Sequence, residues 1–388
     1  MQLGRRGFIA TMGALAGAKL AKAASFGSQD QAKPADARQP SGDRFRKVDE
    51  IISAEYARDG VASITVGLVD GADLVWSKSY GLARIEDQQA ANVDNIYRIG
   101  SITKQFTAIG FLQLVQKGTL HLTDPVEKYV PEISVVSGRP SYSPPITLVQ
   151  LATHTSGLDR EPADANVYTA GPVKNWEQTL FTALKHTKYL YEPGTRQSYS
   201  NLGYAILGVA VGRAAGLPYI TYAKQNILDP LGLKNTQFEL DSVLLPRLTH
   251  GYEDHNGKPD GADSARELQA GRGYKVPNGA LFTTVEELSK FVSFELGHGP
   301  KTLLDVAFYE DIHKRIFADD ENLGGGYGIG FQLIRRNNLI LAGHSGSVAG
   351  YTAGAYYNKK ASLGIVYLRN YGRPLRTSAL FDIAEVFV

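Results

Sequence analysis

The chain has 388 residues, of which 43% are apolar and 21% are charged, and it contains no cysteine. This composition is typical of a globular protein with a sizeable core, built as one large domain or two closely joined ones. It excludes a disulfide framework, a thiol nucleophile and zinc sites made with cysteine, and no stretch reaches the roughly 18 apolar residues of a membrane-spanning helix.

The first 23 residues have the three-part pattern of an export signal. Arg5-Arg6 precedes an apolar run over 8–18, and small residues at Ala21 and Ala23 form a cleavage site of the A-x-A type. The paired arginines resemble the twin-arginine signal, which sends folded proteins across a bacterial inner membrane. We therefore predict cleavage and a periplasmic or extracellular protein. A retained anchor and a cytoplasmic N-terminal helix are the alternatives.

Positive charge is concentrated in the first 23 residues. Their removal takes away four basic residues and no acidic ones, so the formal net charge changes from +2 to −2. The mature protein is therefore not expected to bind nucleic acid or an anionic membrane surface.

A linker and the first folded elements follow. Residues 24–42 are rich in Ser, Gln, Ala, Asp and Pro, which predicts a flexible linker before a folded region over 43–388. A helix is predicted over about 43–58. Two β-rich runs around Asp70-Gly71 then predict a hairpin over 61–81.

The middle of the chain, about 120–310, differs from both ends. Apolar residues recur there at helical spacing in 176–186, 203–214, 219–228 and 285–296. Beyond 325, turn residues separate β-patterned runs at 326–335, 337–346, 350–358 and 361–370, before a last helix over about 374–387. We predict an α/β (α+β) fold in which strands from about 43–100 and 325–388 form one antiparallel sheet. A mostly helical region is inserted, with a ligand cleft between the two.

Ser101 and Lys104 form the only Ser-x-x-Lys pattern in the chain, at the start of a strongly apolar helix that ends near Gly118. One helical turn separates them, so they share a face, and the positive end of the helix dipole lies close to the serine. A serine hydroxyl needs a neighbouring base to act as a nucleophile, and a lysine can serve if burial lowers its pKa. The alternative is an N-cap serine with a lysine that extends to solvent.

Two further patterns carry candidate site residues. Tyr199-Ser200-Asn201 directly precedes an apolar helix, so Tyr199 is predicted on a loop held by the helix start. His344-Ser345-Gly346 follows an apolar strand run. We interpret a second Tyr-x-Asn, at 356–358, as a strand end, and His154 as a structural histidine.

Several other kinds of site are excluded by inspection. The chain has no Gly-x-Ser-x-Gly nucleophile elbow and no His-Glu-x-x-His metal site. The glycines of 324–330 and 343–350 do not have dinucleotide or P-loop spacing.

Taken together, Ser-x-x-Lys, Tyr-x-Asn and His/Lys-Ser/Thr-Gly, in this order and at these separations, resemble the motifs of the serine penicillin-recognising enzymes. The most similar branch contains class C β-lactamases, D-alanyl-D-alanine carboxypeptidases, D-aminopeptidases and family VIII-type esterases. The resemblance covers about residues 43–372. It includes ITLVQLATHTSGL (146–158), YEPGTRQSYSNLGYAILG (191–208), DPLGLKNT (229–236), NGALFTTVEELSKF (278–291), GYGIGF (326–331) and GHSGSVAGY (343–351).

This resemblance implies a β-lactamase/transpeptidase-like fold, an antiparallel sheet flanked by helices with a helical domain inserted. It implies that Ser101 is the acylated nucleophile and that Lys104 and Tyr199 share the proton transfers as a coupled pair. Asn201 would contact the substrate, and the backbone N–H groups of Ser101 and Ser347 would form the oxyanion hole. The cleft edge would be lined by His344, Ser345 and Gly346. No metal or cofactor is implied.

The function expected is that of a serine acyl hydrolase acting on a small-molecule or peptide substrate, namely a D-amino-acid peptide, an amide or an ester. A class C-type β-lactamase is the alternative within the family, and a non-catalytic binder of cell-wall peptide or penicillin is the alternative from another class. Class C β-lactamases carry a lysine where this chain has His344. A histidine is only partly charged near neutral pH, which makes an efficient β-lactamase less expected. The substrate and the oligomeric state stay open.

Overall fold

In a computed structural model, residues 42–59, 62–256, 258–315, 318–320 and 325–388 are described. The predicted export signal and all but the last residue of the predicted linker lie outside them. The described strands are, in chain order, β1 (Ser63–Asp70), β2 (Asp73–Arg84), β3 (Gln89–Ala90), β4 (Tyr97–Arg98), β5 (Glu253–His255), β6 (Lys258–Asp260), β7 (Phe282–Thr283), β8 (Ala318–Asp320), β9 (Gly325–Tyr327), β10 (Gln332–Arg336), β11 (Leu339–Val348), β12 (Tyr351–Asn358) and β13 (Leu363–Arg369).

Nine of these strands form one antiparallel sheet in the order β3-β2-β1-β13-β12-β11-β10-β9-β8. Strands from the two ends of the chain meet at its centre, where Val66 of β1 lies opposite Tyr367 of β13. The predicted antiparallel sheet is thus confirmed. It also includes β8, which begins before the predicted limit of 325, and the pairs β4–β7 and β5–β6 form two small sheets of their own.

The described helices are α1 (Asp43–Asp59), α2 (Thr103–Gln116), α3 (Leu148–Ala152), α4 (Ala165–Tyr168), α5 (Trp176–Leu184), α6 (Asn201–Ala215), α7 (Tyr219–Ala223), α8 (Ala262–Ala270), α9 (Val276–Gly279), α10 (Val285–Glu295), α11 (Val306–Arg315) and α12 (Thr377–Glu385). A π-helical turn over Lys224–Leu228 continues α7. Most of the helices between α2 and α11 belong to the predicted helical region.

Helices cover both faces of the central strands. Val66 belongs to an apolar cluster with residues of α1 and α12, such as Ile52 and Leu380. Its neighbour Gly67 faces the other way, where a Cβ would lie 2.8 Å from Val285 of α10. Because successive residues of a strand point to opposite faces, β1 and β13 are buried along almost their whole length.

Several short helices escape the periodicity analysis. Helices α3, α4 and α9 have only four or five residues, too few to show a helical repeat. Helix α8 is longer but buries only Ser264, so it carries no apolar stripe.

The long helices of the region are buried on nearly all sides. Twelve consecutive residues of α2, from Thr103 to Leu114, are buried, and so are twelve of α6, from Asn201 to Gly212. Within the described residues, no single helix is both long and apolar enough to cross a membrane. The bent pair of α6 with Tyr219–Leu228 passes that test only when its two parts are taken together, and they are inclined by 78°.

Candidate active site

Ser101 lies in a 3₁₀ turn, Gly100–Ile102, that joins β4 to α2. The serine is therefore just before the α-helix instead of in its first turn, still at the end where the helix dipole is positive. The turn packs closely against β11, because Gly100 has φ +50° and a Cβ there would lie 2.8 Å from the backbone N of Ser347. A residue with a side chain would force the turn and the strand apart.

Lys104 lies in the first turn of α2 and is completely buried. Its Nζ is 3.2 Å from Ser101 Oγ and donates to Asn201 Oδ1 at 2.7 Å and to the Asn278 carbonyl at 2.9 Å. The lysine therefore does not extend to solvent.

The surroundings of Lys104 disfavour its charged form. Burial lowers the pKa of the amine well below its usual value, and the cations of Lys275 and Arg160 lower it further, while Glu161 opposes them. A neutral amine has two N–H groups and one lone pair. Both N–H groups have acceptors in Asn201 and Asn278, which leaves the lone pair for the Ser101 hydroxyl.

Tyr199 lies on the loop before α6, as its motif indicated. Its ring is 4.8 Å from Lys104 Nζ and 4.7 Å from the Arg160 guanidinium, measured to the ring centroid. Burial raises the pKa of the phenol above its usual value, and interaction with the Ser101 hydroxyl only partly offsets this. The phenol consequently keeps its proton at neutral pH and is a donor there.

The start of α6 holds this loop in place. Ser200 is the N-cap: its Oγ accepts from Gly203 N at 3.0 Å and donates to the Asp159 carbonyl at 2.7 Å. His154 Nδ1 accepts from Ser200 N at 3.1 Å, and the His154 ring packs on Tyr199 with centroids 4.1 Å apart. His154 is fully buried and positions the tyrosine loop, in line with its interpretation as a structural residue.

Strand β11 forms the edge of the site opposite the loop that carries Tyr199. A Cβ at Gly346 would lie 1.9 Å from the Ile99 carbonyl and 3.3 Å from Ser101 N, so only glycine allows this approach. Together with the contact of Gly100 with Ser347, it brings the backbone of the Ser101 turn against β11 at Ser347. The backbone N–H groups of these two serines are the ones that the family resemblance assigns to an oxyanion hole.

His344, also on β11, is 1% exposed. Its Nε2 lies 3.0 Å from the Tyr327 hydroxyl, and its Nδ1 contacts the Ser345 carbonyl. Burial lowers the pKa of His344 to about 3, and the Lys104 amine contributes in the same direction. The prediction that this histidine is partly charged near neutral pH is therefore wrong, because desolvation keeps the ring neutral near pH 7.

A cleft of about 690 Å³ opens above these residues. Seven of the eight residues singled out in the sequence line it: Ser101, Tyr199, Asn201, His344, Ser345, Gly346 and Ser347. Lys104 lies beneath Ser101. The second Tyr-x-Asn is not part of the lining, and Asn358 instead bonds the Ile340 carbonyl at the end of β12, as expected of a strand end.

The charged residues of the cleft belong to none of the motifs found in the sequence; they are Arg160, Glu161 and Lys275. Glu161 accepts from Asn201 Nδ2 at 2.6 Å and from Lys275 Nζ at 3.0 Å, and it also contacts the Tyr274 hydroxyl. No spacing rule links these positions. The only local signal is that Arg160 and Glu161 lie two and three residues after the quoted segment 146–158.

The chain is similar to known proteins in sequence and in structure. The model of the Beta-lactamase family matches residues 48–386. Beta-lactamase-like protein 2 of Dictyostelium discoideum is 29% identical over 329 residues, which are 83% of this chain and 58% of that protein. Protein flp of Staphylococcus aureus is 26% identical over 332 residues, 85% of this chain and 64% of that protein. The chain thus spans about three fifths of the length of these relatives.

Among solved structures, the octameric penicillin-binding protein homologue from Pyrococcus abyssi superposes with a TM-score of 0.73 at 28% identity, over 88% of this chain and 77% of that one. A class C β-lactamase also gives a TM-score of 0.73, at 19% identity, over 90% of this chain and 98% of that one. At that identity the likeness concerns the fold, which is of the β-lactamase/transpeptidase type. Since the family model matches most of the chain, the protein belongs to the Beta-lactamase family, whose fold is generally that of serine hydrolases.

Proposed function

We propose that the protein is a serine acyl hydrolase that forms an acyl-enzyme on Ser101. The observation that carries this proposal is the buried Lys104 amine, 3.2 Å from Ser101 Oγ, with both of its N–H groups engaged elsewhere. A neutral amine held in this way is a general base directed at the hydroxyl.

In the proposed reaction, Ser101 Oγ attacks the substrate carbonyl while Lys104 takes its proton. The charge that develops on the carbonyl oxygen is stabilised by the backbone N–H groups of Ser101 and Ser347. Tyr199 gives its proton to the departing amine or alkoxide and recovers one through Lys104. Water then enters by the reverse route, which releases the acid and restores the Ser101 hydroxyl.

For the substrate we propose a D-amino-acid peptide, an amide or an ester. A class C-type β-lactamase is the second candidate, and the neutral His344 argues against it because it offers no positive charge at the position where class C enzymes carry a lysine. A non-catalytic peptide binder has no use for a buried amine, whose desolvation is costly.

We also propose that the protein is exported. This rests on the signal pattern around Arg5-Arg6 and on the small residues at Ala21 and Ala23, all outside the described residues.

Labelling tests the nucleophile. Wild-type protein treated with an uncharged fluorophosphonate should gain one adduct, which peptide mapping places on Ser101. Ser101→Ala should lose both the adduct and turnover. Ser378→Ala, which removes a serine from the first turn of α12, is the matched control and should keep both. An adduct on another serine in a still active Ser101→Ala protein would refute the assignment.

Substrate profiling tests the class. Purified protein should be assayed with D-Ala-D-Ala peptides, D-amino acid amides, short p-nitrophenyl esters and a chromogenic cephalosporin. We expect turnover of at least one of the first three. Efficient turnover of the cephalosporin alone would instead support the β-lactamase. No turnover of any of these compounds, together with no adduct from the fluorophosphonate, would support the binder.

A further inference from the structure

The two walls of the cleft differ in charge. All the charged side chains among its described lining residues, Arg160, Glu161 and Lys275, come from the helical region. The opposite wall, formed by β10 to β12 and residues 372–377, contributes uncharged side chains, because burial keeps His344 neutral. Of the two walls, the helical one is therefore the one whose described lining residues offer a formal charge to a charged substrate group.

Two of these three charged side chains, Lys275 and Glu161, form an ion pair. Lys275 Nζ donates to Glu161 Oε1 at 3.0 Å, and the same oxygen accepts from Asn201 Nδ2 at 2.6 Å. The other carboxylate oxygen contacts the Tyr274 hydroxyl. Both carboxylate oxygens of Glu161 thus have partners, and among the described residues Glu161 forms no ion pair with Arg160.

Arg160 has no ion-pair partner among the residues that the structure describes. Its side chain is exposed to the cleft, and its guanidinium lies over the Tyr199 ring at 4.7 Å from the centroid. Stacking orients a guanidinium plane while its N–H edge stays free, and that edge matches a carboxylate with two parallel hydrogen bonds.

The backbone of Arg160 is fixed next to the catalytic loop. Its carbonyl accepts from Asn201 N at 3.0 Å, one residue after the N-cap of α6. The preceding carbonyl, of Asp159, accepts from Ser200 Oγ at 2.7 Å. The cation is therefore held at a set position relative to Tyr199 and Ser101.

We propose that Arg160 binds a carboxylate of the substrate and makes the protein selective for anionic acyl donors or acceptors. This inference rests on the proposed acyl hydrolase and names the substrate class of that site. Arg160 supplies the positive charge for a carboxylate at the helical wall. His344, at the strand wall, is neutral and supplies none.

Two matched substrate pairs test the proposal. A peptide ending in D-Ala-D-Ala is compared with its C-terminal amide, and p-nitrophenyl hydrogen glutarate with its carboxamide. The first pair places the carboxylate on the leaving side and the second on the acyl side. In Arg160→Gln, the ratio of kcat/KM for the anionic over the neutral member should fall about tenfold in at least one pair, mainly through KM, as expected for the loss of one charge-assisted contact.

Two control variants separate recognition from other effects. Arg196→Gln also removes an exposed cation stacked on a tyrosine, Tyr191 at 4.9 Å, but Arg196 does not line the cleft, and its ratio should equal that of the wild type. Arg160→Lys keeps the charge without the planar fork and should lie between the wild type and Arg160→Gln. Rates are compared on the high-pH plateau of each variant, because Arg160 also lowers the pKa of Lys104.

Unchanged ratios in both pairs for Arg160→Gln would overturn the proposal. So would an equal loss for both members of each pair, which would show that Arg160 acts only through Lys104. If the fluorophosphonate fails to label Ser101, the acyl hydrolase is refuted instead. Calorimetric binding of the same four compounds to Ser101→Ala, with and without Arg160→Gln, then decides the carboxylate site: selective weakening of an anionic compound supports it, and equal affinities refute it.

Discussion

At the scale of single residues, the buried Lys104 is the main feature of the site. An amine that is removed from water and has cations nearby loses its proton more readily than one at the surface. Helix α2 is buried over Thr103–Leu114, and the Lys104 side chain is itself completely buried. The same burial that makes the amine costly to place favours its neutral form, which the proposed mechanism requires of a base.

Substitution of Lys104 should separate a base from a simple positive charge. Lys104→Ala should lower acylation about a hundredfold or more, and Lys104→Arg should be nearly as damaging because a guanidinium keeps its proton at working pH. Wild-type acylation should be lost as the pH falls through the depressed pKa of Lys104, because only the neutral amine is active. Single-turnover acylation measured against pH checks this.

Two further variants complete that experiment. Tyr199→Phe should change the pH profile, because the two groups titrate as a pair. Lys117→Arg, at the exposed end of α2, is the control and should behave as the wild type. Near wild-type acylation by Lys104→Arg would show that this position supplies charge alone.

Glu295, at the end of α10, is a second buried titratable residue. It accepts hydrogen bonds from Tyr309 at 2.6 Å and Tyr357 at 3.3 Å, and burial raises its pKa to about 7. Because the folded pKa is higher than the unfolded value, the folded state binds the proton more tightly. The stabilising contribution is then complete below about pH 4.5 and is lost as the pH rises through about 7.

Glu295→Gln should remove this dependence. Between pH 5 and pH 8 the free energy of unfolding of the wild type should fall relative to that of the variant, by up to about 3 kcal/mol. Urea denaturation across this range measures the difference. Glu286→Gln, on the exposed face of the same helix, should follow the wild type, and an unchanged difference between wild type and Glu295→Gln would contradict the assignment.

At the scale of elements, the site depends on the close packing of β11 against the turn that carries Ser101. Helix α2 carries Lys104, the start of α6 carries Asn201, and the loop before α6 carries Tyr199. Gly346 lets the strand approach the turn, which a side chain at this position would prevent. The proposed oxyanion hole of Ser101 and Ser347 therefore depends on the position of this one strand.

Gly346→Ala should disturb that packing. The added Cβ meets the Ile99 carbonyl, a backbone atom that cannot rotate away, so the strand or the turn must shift. We expect a loss of about 1–3 kcal/mol of stability, as for overpacking, and slower acylation from a displaced oxyanion hole. Urea denaturation and single-turnover kinetics measure the two effects.

Gly203→Ala is the matched control for this change. A Cβ there would meet Leu151 O at 3.5 Å, an ordinary contact, and alanine favours the helix by up to about 1 kcal/mol. If Gly346→Ala proved as stable and as active as Gly203→Ala, the close approach of β11 to the Ser101 turn would be needed neither for stability nor for acylation.

At the scale of the whole molecule, the two ends of the described chain form the centre of one sheet, since β1 pairs with β13. The sheet cannot be completed until the last strands have been synthesised. The proposed twin-arginine route carries already folded proteins, so on that proposal the whole sheet forms before export.

Export by this route predicts a mature protein that starts near Ala24. Arg5→Lys with Arg6→Lys should strand the precursor in the cytoplasm, whereas Arg38→Lys, in the predicted linker, should not. Cell fractionation and N-terminal sequencing of the exported material measure both outcomes. Unimpaired export of the double variant would rule out the twin-arginine route.

Local patterns in the sequence, together with the family resemblance, indicated much of the fold and of the candidate site. Alternation and helical periodicity indicated the long helices and the terminal strands, because those patterns arise within a single element. Ser101 and Lys104 are one turn apart whatever the rest of the chain does, and Tyr199 and His344 belong to short motifs of the same kind. Short or exposed helices such as α9 and α8 carry no such repeat.

Only the tertiary structure decided the electrostatics of the cleft. Arg160 and Lys275 come from segments more than a hundred residues apart in the chain, and the pairing of Lys275 with Glu161 leaves Arg160 as the available cation. The neutral state of His344 likewise follows from its burial beside Lys104, which no local pattern encodes. Charge state and pairing depend on desolvation and on distances between remote segments, and these exist only once the chain has folded.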